Sequence, residues 1–196
     1  KYNCDKSSRH LYDEVYGPDL EKYRTMKSFK MIEVGILRGE SISAWLDYFP
    51  DCKKIVGIDT FERVPAEKIP VLSDSRVEHI QGDSMTTDFS EYLGRQKFDV
   101  IIDDGLHAPK ANGTTFKNLV KFLKKTGVYY IEDVWPIDIM TEKELEHRWI
   151  QKHQNRYSRE RFELFLQDLE GFNVERIDLR HKSGNPDSYI FKITHQ

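Results

Sequence analysis

The sequence predicts an α/β protein built on a mostly parallel sheet with helices on both faces. Three observations carry that expectation. Short apolar runs recur along the first two thirds of the chain, amphipathic stretches separate them, and two further strand-like runs close the sequence. Parallel strands need crossover connections, and right-handed crossovers distribute helices over both faces. Ligands in such sheets bind outside the carboxyl ends of the strands, near the point where strand order reverses.

The elements follow in order. The opening "DKSSRHLYDEVYGPDLEKYRTMKS" is polar and Tyr-rich, with a short helix expected over 19–28 and Pro18 near its N-cap. Strands are expected at 30–36, 53–60, 76–83, 97–104 and 127–133, each a short apolar run. Helical patterns fill 39–49, 86–94, 112–125, 140–151 and 158–170. Residues 172–180 and 187–194 read as an antiparallel pair joined by the turn "HKSGNP". That late pair implies one reversed strand at the sheet edge.

At 196 residues the chain is expected to be a single domain, 1–196, with 1–28 as an N-terminal cap segment. Charged residues make up 32% and the net charge is -3, without the basic excess of a nucleic-acid binder. The cluster "KNLVKFLKK" (117–125) reads as a solvated helix face. Cys4 and Cys52 form no CxxC pair, so two free thiols in a reducing, cytoplasmic compartment are expected. There is no apolar run of the ~20 residues that spans a bilayer, and no secretory signal. The start at Lys1 suggests a piece of a longer polypeptide.

The expected strand ends carry the chemistry. "EVGILRGES" places Gly35 and Gly39 at a strand-to-helix turn where a ligand can approach the backbone. The dinucleotide fingerprint needs three glycines, so G-x-x-x-G preceded by Glu33 disfavours NAD. The next strand ends in Asp59, suited to a ribose diol, and the third in "QGDS", where Asp83 suits an adenine amine. Each Asp alone reads equally as a turn or cap residue; the glycine turn with Glu33, then Asp59, then Asp83 together suggest an adenosine-bearing ligand.

"FDVIIDDGLH" ends in two carboxylates and an imidazole. Successive strand residues face opposite ways, so Asp103 and Asp104 are expected to serve different sites, one of them the nucleotide side. His107 falls on the same rim as Asp104. "VYYIEDVW" repeats the pattern with Glu132 and Asp133, and Trp135-Pro136 is expected to end the strand there. Asp104, Glu132 and Asp133 would then crowd one point, which calls for a cation among them. All-oxygen ligation without Cys suggests a hard ion such as Mg²⁺, with water or substrate completing it. Taken singly, the DD pair reads as a loop tip and His107 as a surface histidine. Trp135, Trp149 and Tyr157 read first as core residues and second as a lining for the acceptor cleft.

"MIEVGILRGESISAWLDYFP", "KIVGIDTF", "VIIDDGLH" and "YYIEDVW" together resemble the metal-dependent sugar O-methyltransferases of antibiotic biosynthesis, of the mycinamicin and rhamnosyl 2-O-methyltransferase type. The resemblance covers nearly the whole chain, and DDG-x-H with the later ED pair is its specific part. It implies a class I methyltransferase fold with a seven-stranded, mostly parallel sheet and a C-terminal antiparallel hairpin. It also implies S-adenosylmethionine (SAM) as donor and Mg²⁺, or Mn²⁺, as the ion. By that likeness Asp104, Glu132 and Asp133 would hold the metal, and His107 would be the base with Asp104 beside it. Glu33, Gly35, Gly39, Asp59, Asp83 and Asp103 would lie along the donor. Lys6, His10 and Tyr12 fall in a segment that looks like the one closing over donor or acceptor.

The implied acceptor is a small molecule or glycan bearing a deoxysugar, methylated at the 2-hydroxyl of a rhamnose-like ring. The chain also resembles the methyltransferase part of larger glycan-building proteins, such as those of large algal viruses, linked to glycosyltransferase domains. Two departures from the family's pattern stand out: Leu106 where a Ser is common, and "LKKTG" before the fifth strand. The rival readings are a catechol-type O-methyltransferase, an iron hydroxylase, and a module that binds SAM or a nucleotide without chemistry. The first usually carries an Asp-Asn pair where this chain has Glu132-Asp133, and the second would need a His pair with a carboxylate.

Overall fold

The computed structural model of the protein describes residues 4–196. Seven strands form one sheet: β1 Lys30–Val34, β2 Lys54–Asp59, β3 Val77–Gln81, β4 Phe98–Asp103, β5 Leu123–Ile131, β6 Phe172–Asp178 and β7 Tyr189–His195. Their order is β3-β2-β1-β4-β5-β7-β6. The first five are parallel, and β7 runs antiparallel to both β5 and β6. Among the described residues nine α-helices accompany them, besides short 3-10 turns: α1 Asp5–Ser8, α2 Asp13–Leu20, α3 Glu40–Tyr48, α4 Ser90–Leu93, α5 Pro109–Leu119, α6 Glu142–Leu145, α7 Arg148–Lys152, α8 Arg159–Asp168 and α9 Arg180–Ser183.

Strand β4 is buried at every position, as a central strand covered on both faces must be. Alternation along 100–102 sends its side chains into two apolar layers, and a register shift between Phe98 and Val100 puts Phe98 on the same side as Ile101. Phe98 and Ile101 join Ile32, Tyr129 and Ile131 against Phe116 and Leu119 of α5 and Phe162 and Phe165 of α8. Val100 and Ile102 join Met31 and Tyr130 against Tyr16 and Leu20 of α2 and Ile42, Trp45 and Leu46 of α3. The order reverses between β1 and β4, so the switch point is framed by the ends of those two strands. There the Asp104 amide donates to the Val34 carbonyl at 3.0 Å.

Four expectations shift. The reversed strand β7 lies inside the sheet, with β6 outermost. Tyr189, Ile190, Phe191 and Ile193 are buried and need neighbours on both sides, whereas β6 is largely exposed and tolerates an edge. The helix expected over 112–125 ends at Leu119, because Leu123 is buried and already pairs with Phe98 at the start of β5. The expected 140–151 helix splits into α6, capped by Thr141, and α7. At the N-terminus the helix is Asp13–Leu20, with Pro18 inside it and a 3-10 turn Glu21–Tyr23 after it. Burial of Val15, Tyr16 and Leu20 outweighs the hydrogen bond that the exposed Pro18 cannot donate.

Cys4 and Cys52 are both unpaired. Among the described residues no helix is long and apolar enough to cross a membrane.

Candidate active site

The turn after β1 sets the floor of the site. Gly35 has φ +80°, and a Cβ there would stand 1.9 Å from the Asp104 carbonyl oxygen. Only glycine allows the β1 and β4 ends to approach so closely, and that approach fixes where Asp104 emerges. Gly39, at φ +77°, caps α3, and a Cβ would meet Val71 and Ile69 side chains at 2.6 and 2.8 Å. Its role in the fold is packing against the loop that precedes β3.

A cleft of about 1140 Å³ opens over the carboxyl ends of the strands. Small-molecule sites span roughly 300–1,000 Å³, so two ligands can lie side by side here. Among the expected site residues, Lys6, Gly35, Asp59, Asp83, Asp104, His107 and Asp133 line it. Glu33, Asp103 and Glu132 are buried behind these, and Gly39 is not on the wall. His10 and Tyr12 form a second layer that supports Asp133.

Asp59 spans two loops. Its Oδ2 accepts from the Leu37 amide at 3.0 Å and its Oδ1 from the Phe61 amide at 2.8 Å. Leu37 (φ 46°) and Phe61 (φ 57°) are both non-glycine residues in the left-handed region, a costly conformation that persists only where surroundings enforce it. Asp59→Asn leaves one amide facing an NH₂ group. The variant is expected to lose about 1–3 kcal/mol of stability in chemical denaturation; an unchanged midpoint would remove this bracing role. Asp83 accepts from the Met85 amide at 2.9 Å, an Asx turn that leaves its second oxygen free of that bond. Asp103 is buried and accepts from the Gly105 amide at 3.2 Å; burial pushes its carboxyl up to about 7.

The carboxylates behind the cleft are compensated by a lysine. Lys6 Nζ, carried in by α1, lies 2.6 Å from Asp104 Oδ2, 2.5 Å from Glu132 Oε2 and 3.3 Å from Glu33 Oε1. The contact with Glu33 is an ion pair without hydrogen-bond geometry, and that oxygen has no hydrogen-bond partner. Glu33 Oε2 accepts from Ser41 at 3.0 Å. Burial disfavours the ammonium, but Asp104, Glu132 and Glu33 outweigh it and hold its pKa well above the usual range. Burial likewise opposes ionisation of Asp104, yet Lys6 and His107 bring it down to about 2. Glu132 is raised by burial, with its other oxygen accepting from the Tyr16 hydroxyl.

Strand β5 ends at Ile131, and Asp133 turns with φ 52°. Tyr12 donates to Asp133 Oδ1 at 2.6 Å and its hydroxyl oxygen accepts from the Asp133 amide at 3.1 Å. His10 Nδ1 stands 3.5 Å from the same carboxylate and 2.8 Å from Ser188 Oγ. His107 sits between the two outer carboxylates, with Nε2 3.1 Å from Asp104 Oδ1 and Nδ1 3.7 Å from Asp133 Oδ2. Burial opposes its charging, but the Asp104 bond and the Asp133 and Asp104 charges raise its pKa to about 9.

Atoms of Asp104, His107 and Asp133 lie within 4.8 Å of one another, and among the described residues this is the group able to hold a cation. The donor set fits a divalent ion: Mg²⁺ typically takes one or two carboxylates and fills its remaining positions with water or substrate oxygen. Glu132, expected as a third ligand, is outside this group, and Lys6 and Tyr16 engage its two oxygens. Neither partner was assigned to it from the sequence. Lys6 and Tyr16 lie 126 and 116 residues from Glu132, and no local pattern joins them.

The sheet order, the glycine turn and the acidic strand ends define the class of fold to which solved methyltransferases belong. MycE, a methyltransferase from the mycinamycin biosynthetic pathway solved with Mg, SAH and mycinamycin VI, superposes with a TM-score of 0.62 at 20% identity, over 94% of this chain and 49% of that one. Residues 32–134 match the family described as a methyltransferase domain, and the chain belongs to that family.

Curated relatives include the mycinamicin VI 2''-O-methyltransferase of Micromonospora griseorubida, 27% identical over 135 residues, which are 64% of this chain and 32% of that protein. A second is an 8-demethyl-8-(2-methoxy-α-L-rhamnosyl)-tetracenomycin-C 3'-O-methyltransferase of Streptomyces olivaceus. It is 31% identical over 99 residues, 50% of this chain and 24% of that protein. The chain thus spans about a third or less of these curated relatives and about half of the solved one.

Proposed function

We propose that this protein is a SAM- and divalent-metal-dependent O-methyltransferase acting on a sugar hydroxyl, with the 2-hydroxyl of a rhamnose-like ring as the leading acceptor. The observation that carries the reading is the Asp104–His107–Asp133 group at the floor of a cleft large enough for two ligands. Relatives named for 2''- and 3'-hydroxyls of sugars support the acceptor class and leave the ring position to experiment.

In this reading the donor lies along the Gly35 turn, with Asp59 toward the ribose and Asp83 toward the adenine. SAM supplies the methyl group. Asp104 and Asp133 would hold a divalent ion, which would supply a Lewis acid to lower the pKa of an acceptor hydroxyl. Lys6 places one positive charge among Asp104, Glu132 and Glu33 behind the floor. His107 is held protonated by its two neighbouring carboxylates while their charge is uncompensated. His107 is the group placed to take the acceptor proton at its imidazole nitrogen; a cation between Asp104 and Asp133 would offset the charge that raises its pKa. Tyr12 and His10 fix Asp133, so the outer carboxylates do not reorient during the transfer. Most of the rate is expected from positioning donor and acceptor in line, worth up to about 7–11 kcal/mol in favourable cases.

The test is transfer of labelled methyl from SAM to a panel of rhamnosides and other glycosides, with and without EDTA. Labelled glycoside that disappears on chelation and returns with Mg²⁺ or Mn²⁺ is the expected outcome. Full turnover in chelator would remove the ion from this account, and methylation of catechols alone would remove the sugar.

A further inference from the structure

The sequence has three tryptophans, and Trp149 is the exposed one, at 45% against 7% for Trp45 and 5% for Trp135. It lines the cleft and is firmly held. Its Nε1–H donates to the Tyr157 hydroxyl at 3.3 Å, and that hydroxyl donates to the His107 carbonyl at 2.8 Å. The His153 ring packs against it with centroids 4.4 Å apart. The indole is therefore held relative to His107 while part of its apolar surface stays open to the cleft.

Asp187 lines the same cleft. Its Oδ1 is buried and has no hydrogen-bond partner in the protein. A buried acceptor without a donor costs about 1–3 kcal/mol, so a site that keeps one is suited to a ligand that brings the donor. The main-chain oxygen of Asp187 accepts at 3.3 Å from the Tyr12 hydroxyl, which also donates to Asp133. Asp187 and Trp149 thus both face the one cleft.

We propose that Trp149 and Asp187 form the subsite that receives the sugar ring of the acceptor. A pyranose presents C–H hydrogens on one face and hydroxyls around its rim. The hydrogens meet the negative face of the indole, and a rim hydroxyl donates to the unpartnered carboxylate oxygen. Anchoring through Tyr157 to His107 then places the ring beside the base. This inference rests on the sugar O-methyltransferase reading and adds the residues that select the ring.

Trp149 is also the reporter. With the donor product and Mg²⁺ present, titration with methyl α-L-rhamnopyranoside is expected to change tryptophan emission saturably, and Trp149→Ala to abolish the change. Asp187→Asn is expected to weaken the glycoside by at least about tenfold. In methyl transfer Trp149→Ala should raise KM by at least about tenfold with SAM affinity unchanged, and Trp149→Phe should recover part of it. Emission unmoved by any glycoside, a response to catechol alone, or wild-type KM in both variants would overturn the subsite. A saturable glycoside response without methyl transfer would support the subsite and remove the methyltransferase reading instead.

Discussion

Replacing Lys6 with methionine is expected to lower the free energy of unfolding by about 3–5 kcal/mol in the presence of EDTA, because it strips the cation from a buried acidic group. Asp104 and Glu132 each lose a hydrogen bond from the ammonium, and Glu33 loses its ion pair. Methionine fills much the same volume, so the loss is electrostatic rather than a cavity. The sign with pH follows from linkage. Burial already raises the folded-state pKa values of Glu33 and Glu132 above their unfolded ones, and removing the ammonium that opposes this raises them further. The stability they allow is present in full at low pH and is lost as pH rises through those raised values. The gap between wild type and variant should therefore widen from about pH 4 to pH 8, read by denaturant unfolding at each pH. Lys6→Met combined with Glu132→Gln should recover part of the loss, since the two changes act on one network. A gap below about 1 kcal/mol throughout, or one that closes on the alkaline side, would mean that something other than this ammonium compensates the cluster.

His107→Ala is expected to lower kcat by about 10²–10⁴-fold while SAM affinity stays near wild type, the signature of a lost proton acceptor. His107 is engaged by Asp104 and Asp133, whereas Asp59, proposed to face the donor, holds the Leu37 and Phe61 amides. His107→Gln separates two roles. Glutamine can still donate to Asp104 but cannot take a proton at neutral pH. A loss equal to that of alanine points to the base, and recovery to within a few-fold would reduce His107 to a residue that orients Asp104.

Much of this arrangement was legible along the chain. The parallel core, the closing antiparallel pair, the turn at Gly35 and the acidic strand ends each depend on residues close together in sequence. Strand periodicity of two and the glycine requirement at a tight turn are local consequences of backbone geometry. The positions of Asp59, Asp83, Asp104, His107 and Asp133 on one cleft follow from strands that end on the same side of a parallel sheet. Trp149 and Tyr157 were visible only as aromatic residues suited to core or cleft, and the structure separates them: Tyr157 is buried and Trp149 is exposed.

What the sequence determined by itself was the kind of sheet and the rim on which chemistry-bearing side chains gather, because alternation and strand ends are written in neighbouring residues. The tertiary structure alone decided how the charges are shared. Lys6 reaches Glu132 and Asp104 from the far N-terminus, Tyr16 takes the remaining oxygen of Glu132, and His107 lies between Asp104 Oδ1 and Asp133 Oδ2. Charges interact through space, in an interior where water no longer screens them, and sequence separation has no part in that energy.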